Sequence, residues 1–595
     1  MMLTEWGERL NAQNPLPEYP RPQIRRENWL CLNGPWEYAI SGGLVEPAGY
    51  DGTIIVPFSP EAALSGVNRR LEPGQSLWYR RRFTLPVMGL GGGRALLHFG
   101  AVDQTARVWV NGHEVARHTG GYLPFTADIT EALAIDGDNL LCVLVQDECD
   151  ASFHSRGKQV ERPGGIWYTS QSGIWQTVWL ECVPRVYIQR LVITPHFGQE
   201  TVELTVQTNG DLDCELWLDG QVTTFRSNTP CMIQVPSFEP WSPENPKLYD
   251  FTVRMGKDCV ESYFAMRQFG VGPDGNGIPR LMLNGQPYFH TGVLDQGYWP
   301  DGLYTPPSDE AMIWDIRLMK DMGFNMLRKH IKVEPLRWYY HCDRLGMLVW
   351  QDMVNGGVRY NKRHITLPLI FGNSHRDSDY AYFGRADVRG REEYTRELEE
   401  TVRHLYNCPC VAVWTPFNEG WGQFDAARAA AAIRTLDPGR AIDHASGWHD
   451  QGAGDFKSSH VYFRPYHFRA DKRGRVVALT EFGGYAYREE GHCWSEKTFG
   501  YKALPSREAL ARAFVKLYER QIIPSKAKGL AAAIYTQLSD VEEEINGFVS
   551  YDRRVVKIDT ALVASLNERL RTSAEEAHPV IESPSKDDDP VALSG

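Results

Sequence analysis

The feature that most constrains this chain is the segment VAVWTPFNEGWGQ at residues 411–423. Its first half is an apolar run rich in β-branched and aromatic residues, which is typical of a fully buried strand. The run ends on Asn418 and Glu419, and the turn-forming Gly420 follows at once. A buried strand that ends on a carboxylic acid is typical of a β/α barrel, whose polar residues gather at one end of the sheet.

A second segment, VVALTEFGG at residues 476–484, repeats this arrangement with Glu481 and a glycine pair. Two carboxyls at strand ends of one sheet suit hydrolysis of a glycosidic bond, because one protonates the leaving oxygen and the other attacks the anomeric carbon. For either glutamate alone, a salt-bridged residue at a strand end is the simpler interpretation. The two together favour a catalytic pair, with Glu419 as general acid and base and Glu481 as nucleophile.

These segments, VWTPFNEGWG and LTEFGG, together with SGIWQTVWLE at residues 172–181, resemble the signature segments of glycoside hydrolase family 2. This is the group of β-galactosidases, β-glucuronidases and β-mannosidases. The resemblance runs from GPWEYAI at residue 34 to the segment that begins with Tyr535. It implies a retaining mechanism, and it implies that the Asn418 amide bonds the sugar 2-hydroxyl.

Composition excludes several classes of protein. The chain has 595 residues, 42% of them apolar, and a formal charge of −12 without a basic stripe, so nucleic acid is not expected as a partner. Its 11 cysteines lack the spacing of a zinc or redox motif. No apolar leader or membrane-length apolar run is present, and the expected location is cytoplasmic, without a membrane partner.

Three folded domains and a tail are predicted. Short alternating strands over residues 1–187 indicate a jelly-roll β-sandwich, which the resemblance identifies as a sugar-binding domain. Residues 188–272 alternate in the manner of an immunoglobulin-like β-sandwich. Residues 273–571 indicate a catalytic (β/α)₈ TIM barrel, since eight apolar strand candidates alternate with helical patterns. Residues 572–595 are predicted to be a disordered acidic tail.

The segment NMLRKHIKVEP departs from the family pattern, which typically reads Arg-x-x-His-Tyr-Pro. Arg328 matches the arginine that supports the nucleophile in the family. His330 comes one residue early, Ile331 takes the expected histidine position, and Lys332 follows. The identity of the sugar contacts therefore stays open at His330 and Lys332.

Cationic residues near the strand ends are compatible with a uronic acid as the substrate. Lys332, or Arg359, Lys362 or Arg363 in the long insertion after the third barrel strand, can hold a carboxylate at C6 of the sugar. Solvated loop charges are the simpler interpretation of each. The Asn-x-Lys motif of the family's glucuronidases is absent, because the region after the eighth strand reads SDVEEEINGF.

The remaining candidate substrate contacts are aromatic or polar residues at strand ends, for which packing in the core is the alternative. They are Trp421, Tyr485, Asp295, Asp352, His460, Tyr462 and Tyr535. Tyr462 is the preferred hydrogen-bond donor to the nucleophile. In the first domain, the loop HSRGKQVERPGGIWYTS is too long for a hairpin, and the resemblance implies that Lys158 and Gln159 narrow the site from this loop.

The sequence thus predicts a retaining exo-β-glycosidase acting on a terminal non-reducing sugar of a small-molecule glycoside. A galacto-configured substrate, either a β-galactoside or a β-galacturonide, is favoured by family frequency and by the basic residues. The alternatives are a β-glucuronidase or β-glucosidase of the same family and, in a different class, a non-catalytic carbohydrate-binding protein. No cofactor or metal is expected, and homo-oligomerisation stays open.

Overall fold

The computed structural model describes residues 2–85, 90–134, 137–360, 364 and 374–572. The predicted tail, from residue 573 onward, lies outside the described residues, as do Lys362 and Arg363. Within the described ranges, no helix combines the length and apolar character needed to cross a membrane. The chain forms two β-sandwiches followed by a barrel, and this confirms the predicted fold class.

The first sandwich consists of a six-stranded and a four-stranded antiparallel sheet. Side chains alternate between core and solvent along its strands, as in Thr105–Val110, where every second residue is buried. In spatial order, the six-stranded sheet contains Gly52–Val56, Gly34–Ser41, Ser76–Phe83, Asn139–Gln146, Thr105–Val110 and His113–Thr119. The four-stranded sheet contains Trp29–Cys31, Val178–Val183, Arg94–Phe99 and Phe125–Asp128.

The second sandwich packs a three-stranded sheet against a four-stranded sheet, and a small antiparallel sheet leads from it into the barrel. The two sandwich sheets contain, in spatial order, Ile188–His196, Thr201–Thr208 and Cys231–Gln234, and then Gln221–Arg226, Asp213–Leu218, Tyr249–Met255 and Asp258–Phe264. The connecting sheet contains Phe269–Pro273, Pro279–Leu283 and Gln286–Pro287.

The barrel has eight parallel strands, numbered here β1 to β8, which agrees in number with the eight apolar strand candidates of the sequence. They are β1 His290–Asp295, β2 Met326–Lys329, β3 Leu348–Asp352, β4 Val411–Thr415, β5 Ala441–Ile442, β6 Phe456–Val461, β7 Val476–Gly483 and β8 Leu530–Thr536. Neighbouring strands pair in this order from β1 to β5 and from β6 to β8, β8 also pairs with β1, and β5 and β6 form the two edges of the sheet. Because the strands are parallel, all their carboxyl ends lie at one mouth.

Helices cover part of the barrel. The first begins where the Ser308 side chain accepts a hydrogen bond from the Ala311 amide, as the capping pattern predicts. The helices are α1 Asp309–Asp321, α2 Leu336–Leu345, α3 Val388–Leu405, α4 Ala426–Leu436, α5 Arg507–Leu517, α6 Ile523–Lys528 and α7 Thr560–Thr572. Residues 462–475, between β6 and β7, contain no helix. That side of the barrel is therefore covered by an irregular segment.

Arg26 joins the two sandwiches. Its guanidinium is buried and donates to both oxygens of Asp258, at 3.0 and 2.9 Å, and to Glu181 at 2.9 Å. Glu181 lies in the first sandwich and Asp258 in the second. This buried charge fixes the relative position of the two sheets, because losing it leaves Asp258 without its cation and leaves Glu181 with Arg21 alone.

We expect Arg26→Ala to lower the free energy of unfolding by about 3–5 kcal/mol, because buried Asp258 loses its counter-charge and Glu181 keeps only that of Arg21. Arg25→Ala is the matched control, since its pair with Glu261 is largely exposed, with side chains 63% and 55% accessible. Arg25→Ala should lower the free energy of unfolding by less than about 1 kcal/mol. Urea unfolding followed by tryptophan fluorescence measures both variants, and equal losses would contradict this role for Arg26.

Candidate active site

Glu419, beyond the end of β4, and Glu481, in β7, meet at the barrel mouth with His460 of β6. One carboxylate oxygen of each glutamate and a ring nitrogen of His460 all lie within 4.8 Å of one another. Two carboxyls about 5 Å apart suit double displacement, whereas roughly 6.5–9.5 Å would leave room for a water between acid and substrate. Among the described residues, these three side chains also have the spacing of a metal site. Their ligand atoms are instead hydrogen-bonded, Glu419 to His460 and Glu481 to Arg328.

The backbone around Glu419 turns sharply to present the side chain. Glu419 itself has φ of 51°, in the left-handed region, and its amide donates to the Ser446 carbonyl at 2.9 Å. Gly420 follows with φ of 74°, and a Cβ there would lie 2.4 Å from Cδ2 of His449. Glycine is therefore required at this turn.

His460 holds the side chain of Glu419. Its Nδ1 lies 2.7 Å from Oε1 of Glu419, and burial lowers the pKa of His460 to about 4, so the ring is neutral near pH 7. On its other side, Nε2 lies 3.1 Å from the Ser446 hydroxyl. A neutral imidazole has one N–H, so its tautomer decides which of these groups receives a proton.

A chain of hydroxyls favours one tautomer. Ser446 donates to Thr480 at 2.9 Å, and Thr480 donates at 3.4 Å to the Ser459 carbonyl, which can only accept. The hydroxyl proton of Ser446 is thus committed, and Nε2–H of His460 donates to Ser446. Nδ1 is then left to accept a hydrogen bond from protonated Glu419.

Burial agrees with a protonated Glu419, because it raises the pKa of this carboxyl to about 7, with Lys158 and Arg328 opposing the shift. Glu481 has a different environment. It accepts from Nη1 of Arg328 at 3.1 Å and from the Tyr462 hydroxyl at 2.5 Å. Burial raises the pKa of Glu481 as well, while Arg328 and the Tyr462 hydroxyl favour its ionised form. The geometry therefore assigns the proton to Glu419 and the charge to Glu481.

Arg328 organises the floor of the site. It is fully buried, its Nε and Nη2 each lie 3.0 Å from an oxygen of Asp352, and Nη2 also donates to Oδ1 of Asn418 at 2.7 Å. Oδ2 of Asp352 also lies 2.8 Å from Nδ1 of His330. Asp352 thus positions Arg328 and His330, and its contact with a sugar hydroxyl stays a prediction.

Three of the polar groups at the site have no hydrogen-bond partner among the described residues. They are the side-chain amide nitrogen of Asn418 and the indole nitrogens of Trp421 and Trp448, all buried. A buried donor without a partner is costly, and a sugar hydroxyl can supply the missing acceptor. This placement agrees with the predicted contacts of Asn418 and Trp421.

Lys158 reaches the site from the first sandwich. Its loop is attached to the barrel because the amides of Arg156 and Gly157 donate to the Asn355 carbonyl at 3.0 and 2.9 Å. The Lys158 ammonium lies 5.1 Å from the ring centre of Trp421 and forms no hydrogen bond or ion pair with a described residue. The long polar loop thus places a cation that forms no ion pair with a described acid beside the candidate catalytic pair.

Three aromatic residues at the site were not predicted. Trp167 packs against Trp421 with ring centres 5.0 Å apart, Tyr501 stacks on Tyr462 at 3.6 Å, and Trp448 packs edge-on against His460 at 5.2 Å. Trp167 lies in the loop that the sequence singled out, so it was within reach of sequence analysis. No sequence signal distinguishes Tyr501 or Trp448 from core aromatics.

The prediction that Lys332 contacts the sugar is wrong. Its ammonium is buried and donates to the carbonyls of Gly297 and Tyr304 and to Glu334, at 2.7 to 2.9 Å. Asp295 is likewise occupied, since its oxygens accept from the Gly297 amide and from Lys329. Both residues hold the loop after β1 in place.

Four further candidates also have other roles. Gln159 is buried and bonded to Asp103, Tyr122 and the Gln171 amide. The ring of Tyr535 packs in the core against Phe482 and Phe548. Arg359 is exposed and lies beside Asp150 and Glu161 of the first sandwich. Tyr485 lines a separate cavity with Lys502.

Family models match three parts of the chain. Residues 31–184 match the sugar binding domain of glycosyl hydrolases family 2, residues 186–267 match the model named for that family, and residues 281–477 match its TIM barrel domain. The three matches follow the order of the two sandwiches and the barrel.

Curated and solved relatives point to the same group. β-Glucuronidase of Canis lupus familiaris is 24% identical over 408 residues, which cover 62% of this chain and 58% of that protein. Among solved structures, Ruminococcus gnavus β-glucuronidase has a TM-score of 0.72 at 16% identity, covering 94% of this chain and 99% of that one. A family 2 β-galacturonidase from Eisenbergiella tayi, bound to galacturonate, has a TM-score of 0.67 at 18% identity and covers 93% and 99%.

Proposed function

The chain belongs to glycoside hydrolase family 2, and on that premise we propose that it is a retaining exo-β-glycosidase whose substrate is a β-glucuronide. The observation that carries the proposal is the close approach of Glu419 and Glu481, whose carboxylate oxygens lie within 4.8 Å while their surroundings favour different protonation states. A carbohydrate-binding protein without activity would not need two such acids.

In the proposed reaction, a carboxylate oxygen of Glu481 attacks the anomeric carbon while Glu419 gives its proton to the departing glycosidic oxygen. The glycosidic bond breaks and an ester joins the sugar to Glu481. Glu419, now ionised, takes a proton from water, whose oxygen attacks the anomeric carbon and releases Glu481 as a carboxylate. The unpartnered amide nitrogen of Asn418 is placed to bond the 2-hydroxyl during both steps.

Lys158 supports a uronic acid as the sugar. Its ammonium lies over the rings of Trp421 and Tyr168, at 5.1 and 5.5 Å, within a nearly buried residue that has no described acidic partner. A cation of this kind needs an anion, and the carboxylate at C5 of a bound uronide supplies one. The role first considered for Lys332 thus passes to Lys158. The loop that carries Lys158 and Trp167 also narrows the mouth, which supports exo cleavage.

The choice between sugars follows the relatives. β-Glucuronidase is the name of the curated relative and of the Ruminococcus structure, so β-glucuronides come before the galacto-configured substrate that the sequence favoured. β-Galacturonides are the second candidate, because the Eisenbergiella enzyme of the same fold is named for them. Both substrates carry the carboxylate that Lys158 is proposed to hold.

A panel of nitrophenyl β-glycosides tests the activity. We expect turnover of the β-glucuronide or, failing that, the β-galacturonide, in preference to the β-galactoside, β-glucoside and β-mannoside. Glu481→Gln should lower kcat by about 10⁴-fold or more, because the covalent step loses its nucleophile. Glu519→Gln, on the surface beside Arg569, is the control and should leave kcat unchanged. Absence of turnover on every glycoside by folded protein would overturn the proposal.

The pH dependence of kcat/KM should follow the two carboxyls. Glu419 must carry its proton to act as the acid, and with its pKa raised to about 7 it loses that proton as the pH rises through this value. Activity should therefore fall above about pH 7, and also at acid pH, where Glu481 takes up a proton. A dinitrophenyl leaving group needs no proton and should weaken the alkaline decline. Activity that still rises above about pH 8 would contradict Glu419 as the acid.

Lys158→Gln should lower kcat/KM for the uronide by about 10- to 100-fold, because the sugar carboxylate loses its cation. The same variant should act on the neutral β-glucoside as the parent does, so the ratio of the two rates is the measurement. Arg162→Gln, an exposed cation of the same loop, is the matched control. An equal loss on both substrates would mean that Lys158 only supports the loop.

A further inference from the structure

A second cavity lies outside the active site, on the side of the barrel where no helix separates β6 from β7. Its volume is about 500 Å³, and its walls are the segment after β6, the end of β7 and helix α5 with the turn that follows. Tyr462 contributes to its wall and also donates to Glu481, so the cavity lies close behind the catalytic residues.

The lining of this cavity is strongly basic. It contains five cationic residues and no aspartate or glutamate among the described residues. The five are Arg464, Lys502, Arg512, Lys516 and Arg520. None of their side chains forms a hydrogen bond or an ion pair with a described residue, although the Lys502 ammonium lies 5.1 Å from the ring centre of Tyr485. All five are exposed to solvent, and together they give this cavity a cluster of cations without an acidic counterpart in its lining.

Other features of the cavity suit a ring-bearing ligand. Phe463 is 65% exposed at its rim, which is unusual for a large apolar side chain. Tyr466, which also lines it, is 8% exposed, and its buried hydroxyl has no hydrogen-bond partner among the described residues. A hydroxyl buried in this way needs an acceptor, and neighbouring cations make an anionic oxygen the favoured one.

We propose that this cavity binds a small ligand in which a phosphate or sulfate group is attached to a ring. The cations of α5 and of residues 464 and 502 would hold the oxygens, and Phe463 and Tyr485 would contact the ring. A phosphate monoester and a sulfated sugar share this chemistry. The proposal does not depend on the proposed glycosidase activity, because none of the five cations touches Glu419 or Glu481.

Isothermal titration calorimetry of the full chain with adenosine 5′-monophosphate and with N-acetylglucosamine 6-sulfate tests the proposal. At least one of them should bind with a stoichiometry of about one. The double variant Arg512→Glu/Lys516→Glu should weaken that binding by about tenfold or more, because two contacts become repulsive. The ligand that binds more tightly shows whether the cavity prefers a phosphate monoester or a sulfated sugar.

The matched control is Arg317→Glu/Lys472→Glu, which changes the net charge equally at exposed residues outside the cavity. It should keep the affinity within about twofold of the parent. If the first variant does not fold, Arg464→Gln/Lys502→Gln provides the same test from the opposite wall. Failure of both ligands to bind at millimolar concentration, or equal weakening by the control, would overturn the proposal.

Discussion

The active site depends on one buried guanidinium. Arg328 of β2 bonds Asp352 of β3, Asn418 beyond β4, and the Thr480 carbonyl and Glu481 of β7. A single side chain thereby fixes the ends of four strands, and it does so inside the barrel, where an unpaired charge is costly. The positions of the proposed nucleophile, Glu481, and of the Asn418 amide proposed to bond the 2-hydroxyl follow from this one group.

The two glutamates differ because of the donors around them. Glu481 receives hydrogen bonds from a guanidinium and a phenol, which stabilise a negative charge. Glu419 has only the neutral ring of His460, whose single proton is directed to Ser446 by the chain of hydroxyls. Burial therefore raises the pKa of Glu419 to about 7, and the carboxyl is protonated at slightly acid pH. Two residues of the same type thus acquire opposite roles from their surroundings.

Sequence analysis predicted the fold well because the relevant signals are local. The apolar strands of the barrel and the alternating strands of the sandwiches are written in short stretches, and both glutamates stand at strand ends. The family assignment rested on the same short segments and is confirmed by the family models. Lys158 was also within reach, since its loop is too long for a hairpin.

The failures concern residues whose roles depend on distant partners. Lys332 and Asp295 lie next to the site in sequence, but Lys332 donates to the distant carbonyls of Gly297 and Tyr304, and Asp295 accepts from Lys329. Tyr535 stands at a strand end yet packs among phenylalanines of the core. The stacking of Tyr501 on Tyr462 joins two loops far apart in the chain. Such contacts follow from tertiary packing, which neither periodicity nor motif spacing reveals.

The most direct test of the account is the configuration of the first sugar product, followed by proton NMR during hydrolysis of an aryl β-glucuronide. The close carboxyls predict double displacement, so the β-anomer should appear first and convert slowly to the equilibrium mixture. Initial release of the α-anomer would mean a single displacement by water. That result would contradict the assignment of Glu481 as nucleophile and, with it, the role of Arg328 in holding Glu481 for attack.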